Sequence, residues 1–275
     1  MNLVSTDWLA AHLKDVRVVD ASWYMPADQR QPAKEFETGH IPGAVFFDID
    51  AIADHSTGLP HMLPPAGDFS AAAGKLGIGN GETVVVYDGS GVFSAPRVWW
   101  TLKTMGHANV KVLDGGFPKW KREGRTVESG PAKPAEKSFT AIVQPALKRD
   151  FDDVMGIVRD KSAQMVDARS ASRFSAAEKE PRAGLRSGHM PGAANVHFRA
   201  LIDADGTLKP RDQLRAAFEQ AGVDLARPIV ATCGSGLTAA ILMLALDEIG
   251  AADVALYDGS WTEWGGRPEA PVVTG

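Results

Sequence analysis

Ile229-Val-Ala-Thr-Cys-Gly-Ser-Gly-Leu-Thr-Ala-Ala240 decides how this 275-residue chain is read. Ile229 and Val230 begin a short β-branched run, and Cys233 is the only cysteine in the chain. Gly234 and Gly236 follow it, and an apolar run from Ala239 to Leu246 contains neither glycine nor proline. That order predicts a buried strand, a tight loop and a helix. A cysteine at the mouth of such a loop faces backbone N–H groups and the positive end of a helix dipole. Both favour the thiolate, the nucleophilic form. The competing reading is a small buried apolar side chain.

The segments around it alternate in the same way. Ser5-Thr-Asp7 ahead of Trp8, Leu9 and Leu13 predicts a capped first helix, and Arg17–Asp20 a short strand. Asp68 is expected to cap a helix running through Leu76. Thr83–Tyr87 and Val110–Leu113 read as strands, with a helix from Ser94 to Met105 that carries Pro96 in its first turn. Strands alternating with helices predict an α/β fold with mainly parallel sheets.

The second half repeats this order. Val19-Asp20-Ala21 returns as Val166-Asp167-Ala168, and Gly39-His-Ile-Pro-Gly-Ala44 as Gly188-His-Met-Pro-Gly-Ala193. The stretch 84–91 returns as 229–236, and 113–120 as 257–264. Four blocks in one order, at offsets between 144 and 149 residues, indicate two copies of one domain. Residues 1–127 form the first domain on this reading and 148–275 the second. Residues 128–147, rich in Pro, Gly, Ser and charge, read as a linker. Features shared by both copies, His40 and His189 among them, serve the fold. The telling position differs: Asp88 stands where the second copy has Cys233, so the first copy is expected to be catalytically silent.

Bulk properties exclude several classes. A net charge of −5 without a basic run argues against nucleic acid as a partner. The longest apolar stretch is far short of the roughly 20 residues that span a bilayer, so no membrane association is expected. The N-terminus shows no secretion signal, and one cysteine permits no intramolecular disulfide, so the expected location is cytoplasmic. The histidines form no close pair with Cys233 and no Cys-x-x-Cys exists, so no metal site and no cofactor are expected. The glycine loop lacks the lysine of a P-loop. Ala239 occupies the place where a cysteine phosphatase needs arginine.

With these residues assembled, the chain resembles the tandem-domain sulfurtransferases of the rhodanese superfamily over essentially its whole length. Cys233-Gly-Ser-Gly-Leu-Thr238, Asp20-Ala-Ser-Trp-Tyr24, Phe46-Phe-Asp-Ile-Asp50, His61-Met-Leu-Pro64 and Tyr257-Asp-Gly-Ser-Trp261 are similar to the 3-mercaptopyruvate branch. Thiosulfate-preferring members carry arginine and lysine after the cysteine, where Gly234 and Ser235 stand here. The resemblance implies two rhodanese-like domains with the site at their interface. It implies sulfur transfer from 3-mercaptopyruvate through a Cys233 persulfide to thioredoxin, a small thiol or cyanide. Arg173 and Arg182 match the substrate-binding arginines of the family motif. Gly234, Gly236, Leu237 and Thr238 complete the implied substrate loop, and Ser235, Asp50 and His61 align with a proton relay. Without the resemblance each of these arginines reads as a solvated charge, and Arg169 and Arg186 keep that reading. Asp50 also reads as a cap and His61 as a packed residue. The rival functions are a thiosulfate:cyanide sulfurtransferase and a persulfide carrier or redox sensor that does not turn over.

Overall fold

The computed structural model describes residues 2–275. Two compact units divide the chain. The first comprises residues 1–54, 63–144 and 203–208, and the second residues 55–62, 145–202 and 209–275. Each is built on one five-stranded parallel sheet. The first contains β1 (Leu3–Val4), β2 (Val16–Asp20), β3 (Val45–Phe46), β4 (Thr83–Tyr87) and β5 (Val110–Leu113), in the order β1-β5-β4-β2-β3. The second contains β6 (Lys148–Arg149), β7 (Gln164–Asp167), β8 (Ala194–Asn195), β9 (Ile229–Thr232) and β10 (Val254–Tyr257), in the order β6-β10-β9-β7-β8. The two orders are identical once the duplication is allowed for, which makes the sequence repeat a structural one.

The central strands are the continuous apolar runs. Val84, Val85, Val86 and Tyr87 of β4 are fully buried, as are Ile229 and Ala231 of β9. This is the composition of parallel strands covered on both faces. In register, Asp20 lies beside Tyr87 and Asp167 beside Thr232, at the carboxyl ends of the strands. Open parallel sheets place their sites outside those ends. The loop after each central strand leaves from there and carries Asp88 or Cys233.

Helix Thr6–His12 starts where Ser5 accepts a hydrogen bond from the Trp8 N–H, the expected cap. Helix Ala95–Thr104 carries Pro96 in its first turn. Helix Ala239–Glu248 is buried nearly all round, which its unbroken apolar sequence dictates. One expectation is corrected. The helix around Asp68 begins earlier, at Ala66, with Pro65 before it; Asp68 sits inside the first turn, where its charge still suits the dipole. The stretch 128–147, linker-like in composition and mostly exposed, is anchored at a few points. Lys137, Ile142 and Gln144 donate backbone hydrogen bonds to Gly74, Met105 and Thr104, and Phe139 is buried edge-on against Phe69. One aromatic ring and a few backbone bonds suffice to hold a Pro-rich strap that composition alone reads as mobile.

His40 and His189 are structural. His40 stacks on Phe36 with its Nδ1 at the Phe36 carbonyl, and His189 repeats this with Phe174. Phe36 and His40 are four positions apart, but Phe174 and His189 are fifteen apart. The second copy therefore carries an extra excursion between these partners, and residues 175–188 lie in it.

Asp20 is almost fully buried, and burial pushes its carboxyl up to about 6 against hydrogen bonds from Ser22 and Tyr87. A carboxyl raised in the folded state stabilises fully below its unfolded value and less as pH rises through its folded one. Asp20→Asn removes that loss while retaining an acceptor for the Ser22 N–H. Chemical denaturation should show no advantage for the variant at pH 4. By pH 7.5 its advantage should reach about 2–3 kcal/mol.

Candidate active site

Cys233 follows β9 directly and is buried. Its backbone is tied on both sides to the loop after β10. The Cys233 N–H donates to Ser260 Oγ at 3.2 Å, and the Trp261 N–H donates to the Cys233 carbonyl at 2.9 Å. Thr262 secures the next residue, its N–H and hydroxyl both donating to the Gly234 carbonyl at 2.8 and 2.6 Å. Gly236 takes a left-handed φ of 77°, Leu237 and Ser235 are buried, and Thr238 precedes the helix as its cap residue.

Ser260 carries a cost. Its φ of 49° lies in the left-handed region, where a side chain is disfavoured by roughly 1–2 kcal/mol. The first copy places Gly116 at the equivalent position with φ 55°. The second copy keeps a serine there, and its hydroxyl does the offsetting. It accepts from the Cys233 N–H and donates to the Tyr257 carbonyl at 2.9 Å. Sequence reading singled out this segment but not Ser260, because backbone handedness is invisible in a residue name.

The arginines converge on the loop. A Cβ placed on Gly234 would lie 3.1 Å from Arg173 Nη2 and 3.9 Å from Arg182 Nη1. Glycine at 234 thus lets two guanidinium groups close on the backbone beside the cysteine. Arg173 is held by Glu180, donating from Nε at 3.2 Å and from Nη2 at 2.6 Å. Glu180 is shared, since Arg169 donates to it from Nη1 at 2.7 Å.

Arg169 overturns its expectation as a solvated charge. Its side chain is 1% exposed. It donates to the Asp167 carboxylate from Nε and Nη2, the latter at 2.6 Å, and to the Gly188 carbonyl at 2.8 Å. Its guanidinium lies 4.1 Å from the centre of the Trp261 ring. Burial works against its charge, but Asp167 and Glu180 more than compensate and hold the pKa above the usual arginine value. Arg186 is likewise committed to structure, donating to the carbonyls of Gly265, Ala270, Trp264 and Arg267. The signal that finds Arg169 is its place, two residues beyond the strand-ending Asp167.

Asp50 and His61 fall in different units. The Asp50 carboxylate is exposed and accepts the Trp23 indole N–H at 2.8 Å. His61 is buried, with a left-handed φ of 62°.

The first copy shows what its equivalent loop surrounds. Asp88 is fully buried, and its two oxygens accept four backbone N–H groups: Ser90 on Oδ1, and Phe93, Ser94 and Ala95 on Oδ2, at 2.8 to 2.9 Å. Burial raises the pKa of this carboxyl while those donors pull it down. Four donors and a side chain acting only as acceptor describe a nest for an anion.

Fold and site together define a duplicated α/β protein with a single thiol directly after the central strand of its second sheet. The family model of the rhodanese-like domain matches residues 5–123 and 150–267. The chain belongs to the rhodanese family, in its tandem-domain form. It is 44% identical over 272 residues to the 3-mercaptopyruvate sulfurtransferase of Escherichia coli K12, across 98% of this chain and 96% of that protein. It is also 44% identical over 293 residues to the mitochondrial thiosulfate/3-mercaptopyruvate sulfurtransferase 1 of Arabidopsis thaliana, across 98% of this chain and 77% of that protein. A crystal structure of the Escherichia coli 3-mercaptopyruvate sulfotransferase superimposes with a TM-score of 0.88 at 42% identity, covering 95% of this chain and 99% of that one.

Two variants at Ser260 separate strain from chemistry. Ser260→Ala keeps the left-handed strain and loses the hydroxyl's bonds to the Cys233 N–H, the Thr232 hydroxyl and the Tyr257 carbonyl. Ser260→Gly loses the same bonds but relieves the strain, so it should be more stable than Ser260→Ala by about 1 kcal/mol in thermal or chemical denaturation. Equal stabilities of the two variants would show that the backbone at 260 is not strained.

Proposed function

We propose that the protein is a sulfurtransferase that takes sulfur from 3-mercaptopyruvate onto Cys233 and passes it to a thiol or to cyanide. The observation that carries this reading is the closure of Arg173 and Arg182 on Gly234, next to the chain's only cysteine. Two guanidinium groups suit a carboxylate, which accepts paired N–H donors. The loop itself, 234–239, has no cation. An inorganic dianion transferring sulfur at Cys233 needs positive charge there, so the site favours an organic donor with its carboxylate set apart from its sulfur. Similarity does not choose between the donors, because the Arabidopsis relative's name includes both.

In the first step the Cys233 thiolate attacks the donor sulfur. The S–S bond forms, the donor's C–S bond breaks, and its electron pair leaves on carbon as the enolate of pyruvate. A proton on that carbon completes pyruvate. In the second step an acceptor thiolate attacks the outer sulfur and Cys233 departs as thiolate, ready for another cycle. The Asp88 nest supports negative charge at this loop position, since the equivalent loop in the first copy surrounds a carboxyl side chain with four N–H donors. Ser235 and His61, both buried, and Asp50 are the proposed proton relay for the thiol of the donor. Gly234, Gly236, Leu237 and Thr238 shape the substrate loop. The proposed acceptor is thioredoxin, a small thiol or cyanide.

Incubation with 3-mercaptopyruvate should add one sulfur atom to Cys233 by mass spectrometry, and Cys233→Ser should abolish both the adduct and turnover. Arg173→Met should lower kcat/KM by roughly ten- to a hundredfold, the worth of one charge-assisted hydrogen bond. Faster turnover of thiosulfate than of 3-mercaptopyruvate would assign the other donor. A sulfur adduct that no acceptor discharges would make the protein a carrier.

A further inference from the structure

The first unit contains a cavity of about 330 Å³ at the carboxyl end of its sheet. Its walls correspond to the surroundings of Arg169 in the second unit, with the arginine missing. Ser22 occupies that arginine's place, two residues after the strand-ending aspartate. The local backbone is the same: Ser22 N–H donates to Asp20 Oδ1 at 2.8 Å, and Arg169 N–H to Asp167 Oδ1 at 2.9 Å. Each group that holds the Arg169 guanidinium has a counterpart lining the cavity. Asp20 stands for Asp167, Gly39 for Gly188 and Phe117 for Trp261. The last pairing is fixed by the backbone, since the Phe117 N–H donates to the Asp88 carbonyl as the Trp261 N–H does to that of Cys233, both at 2.9 Å. Glu35 supplies a second carboxylate, as Glu180 does.

The charges are unevenly placed. Asp20 is buried and its hydrogen-bond partners, Ser22 and Tyr87, are neutral. Both cations lining the cavity lie on its exposed side: Arg30 pairs with Glu35 over the Tyr24 ring, and Lys121 lies over Phe117. A buried carboxylate with only neutral hydrogen-bond partners among the described residues, beneath a rim that carries two cations, suits a ligand that is positive at its inner end and negative at its outer end.

We propose that this cavity binds a small zwitterionic guanidino or amino acid, its cationic head on Asp20 in the place that Arg169 fills in the other unit, and its carboxylate facing Arg30 and Lys121. The site is separate from Cys233 and makes the silent copy a ligand-binding domain.

Calorimetric titration of the full chain with L-arginine tests this. Wild type should bind one equivalent. Asp20→Asn should bind roughly tenfold more weakly or worse, the loss of one charged contact, while keeping its sulfur-transfer turnover. Agmatine, which has the guanidinium but no carboxylate, should bind more weakly than L-arginine. Ser22→Arg should fill the cavity from within and abolish binding; if that variant does not fold, Asp20→Asn carries the test. Absence of L-arginine binding to wild type, or binding by Asp20→Asn within about twofold of wild type, would overturn the proposal. Equal binding of agmatine would overturn the assignment of Arg30 and Lys121. Because the readout is binding, failure here leaves the sulfur-transfer reading intact.

Discussion

The second unit's site depends on a buried ion network that begins at Asp167 and ends at Arg173. Arg169 lies at its centre, bonded to Asp167 on one side and to Glu180 on the other, with its face on Trp261. Taking such a charge out of water costs several kcal/mol, and an ideal geometry only recovers it. The network is therefore poor evidence of stability and better understood as a fixture. It joins the end of β7 to the excursion 175–188 and fixes Glu180, which in turn aims Arg173. A cation left free to move would lose entropy each time it closed on a ligand. Arg173, held by two bonds to a buried carboxylate, has lost most of that freedom already.

The same duplicated frame carries opposite chemistry in its two halves. Both central strands run into a tight loop. In the first copy the residue there is Asp88, satisfied by four N–H groups. In the second it is a thiol. The loop after the last strand differs in parallel: Gly116 takes the left-handed position without cost, whereas Ser260 takes it under strain and uses its hydroxyl to pin the Cys233 N–H. Strain of this kind persists where function requires the side chain. With Ser22 in the place of Arg169, Asp20 of the first copy faces a cavity, which is a different binding problem.

Much of this was legible in the chain. The α/β alternation, the duplication and Cys233 all follow from local pattern, because a buried parallel strand must be continuously apolar and a strand-to-helix loop of this tightness needs glycine. Arg169 was not legible as a buried group. An arginine in a segment of serines, alanines and charges looks solvated, and only the arrival of Glu180, Gly188 and Trp261 beside the neighbouring Asp167 makes its burial tolerable. The anchoring of the stretch 128–147 was not legible for a related reason. Its composition is that of a linker, and Phe139 alone finds a pocket between Phe69 and His107.

What the sequence by itself determined was the set of parts and their order: two copies, one thiol, one aspartate in its place, and arginines nine residues apart. These are properties of local spacing, and the backbone's hydrogen-bonding and packing rules act on local spacing directly. Tertiary structure alone decided which charges meet. Arg173 and Arg182 come to Gly234 across some fifty to sixty residues of chain, Arg169 is neutralised from two directions, and among the described residues Asp20 has only neutral hydrogen-bond partners. Electrostatic partnership depends on distance in space and on the exclusion of water, and neither is written in the separation of residues along the chain.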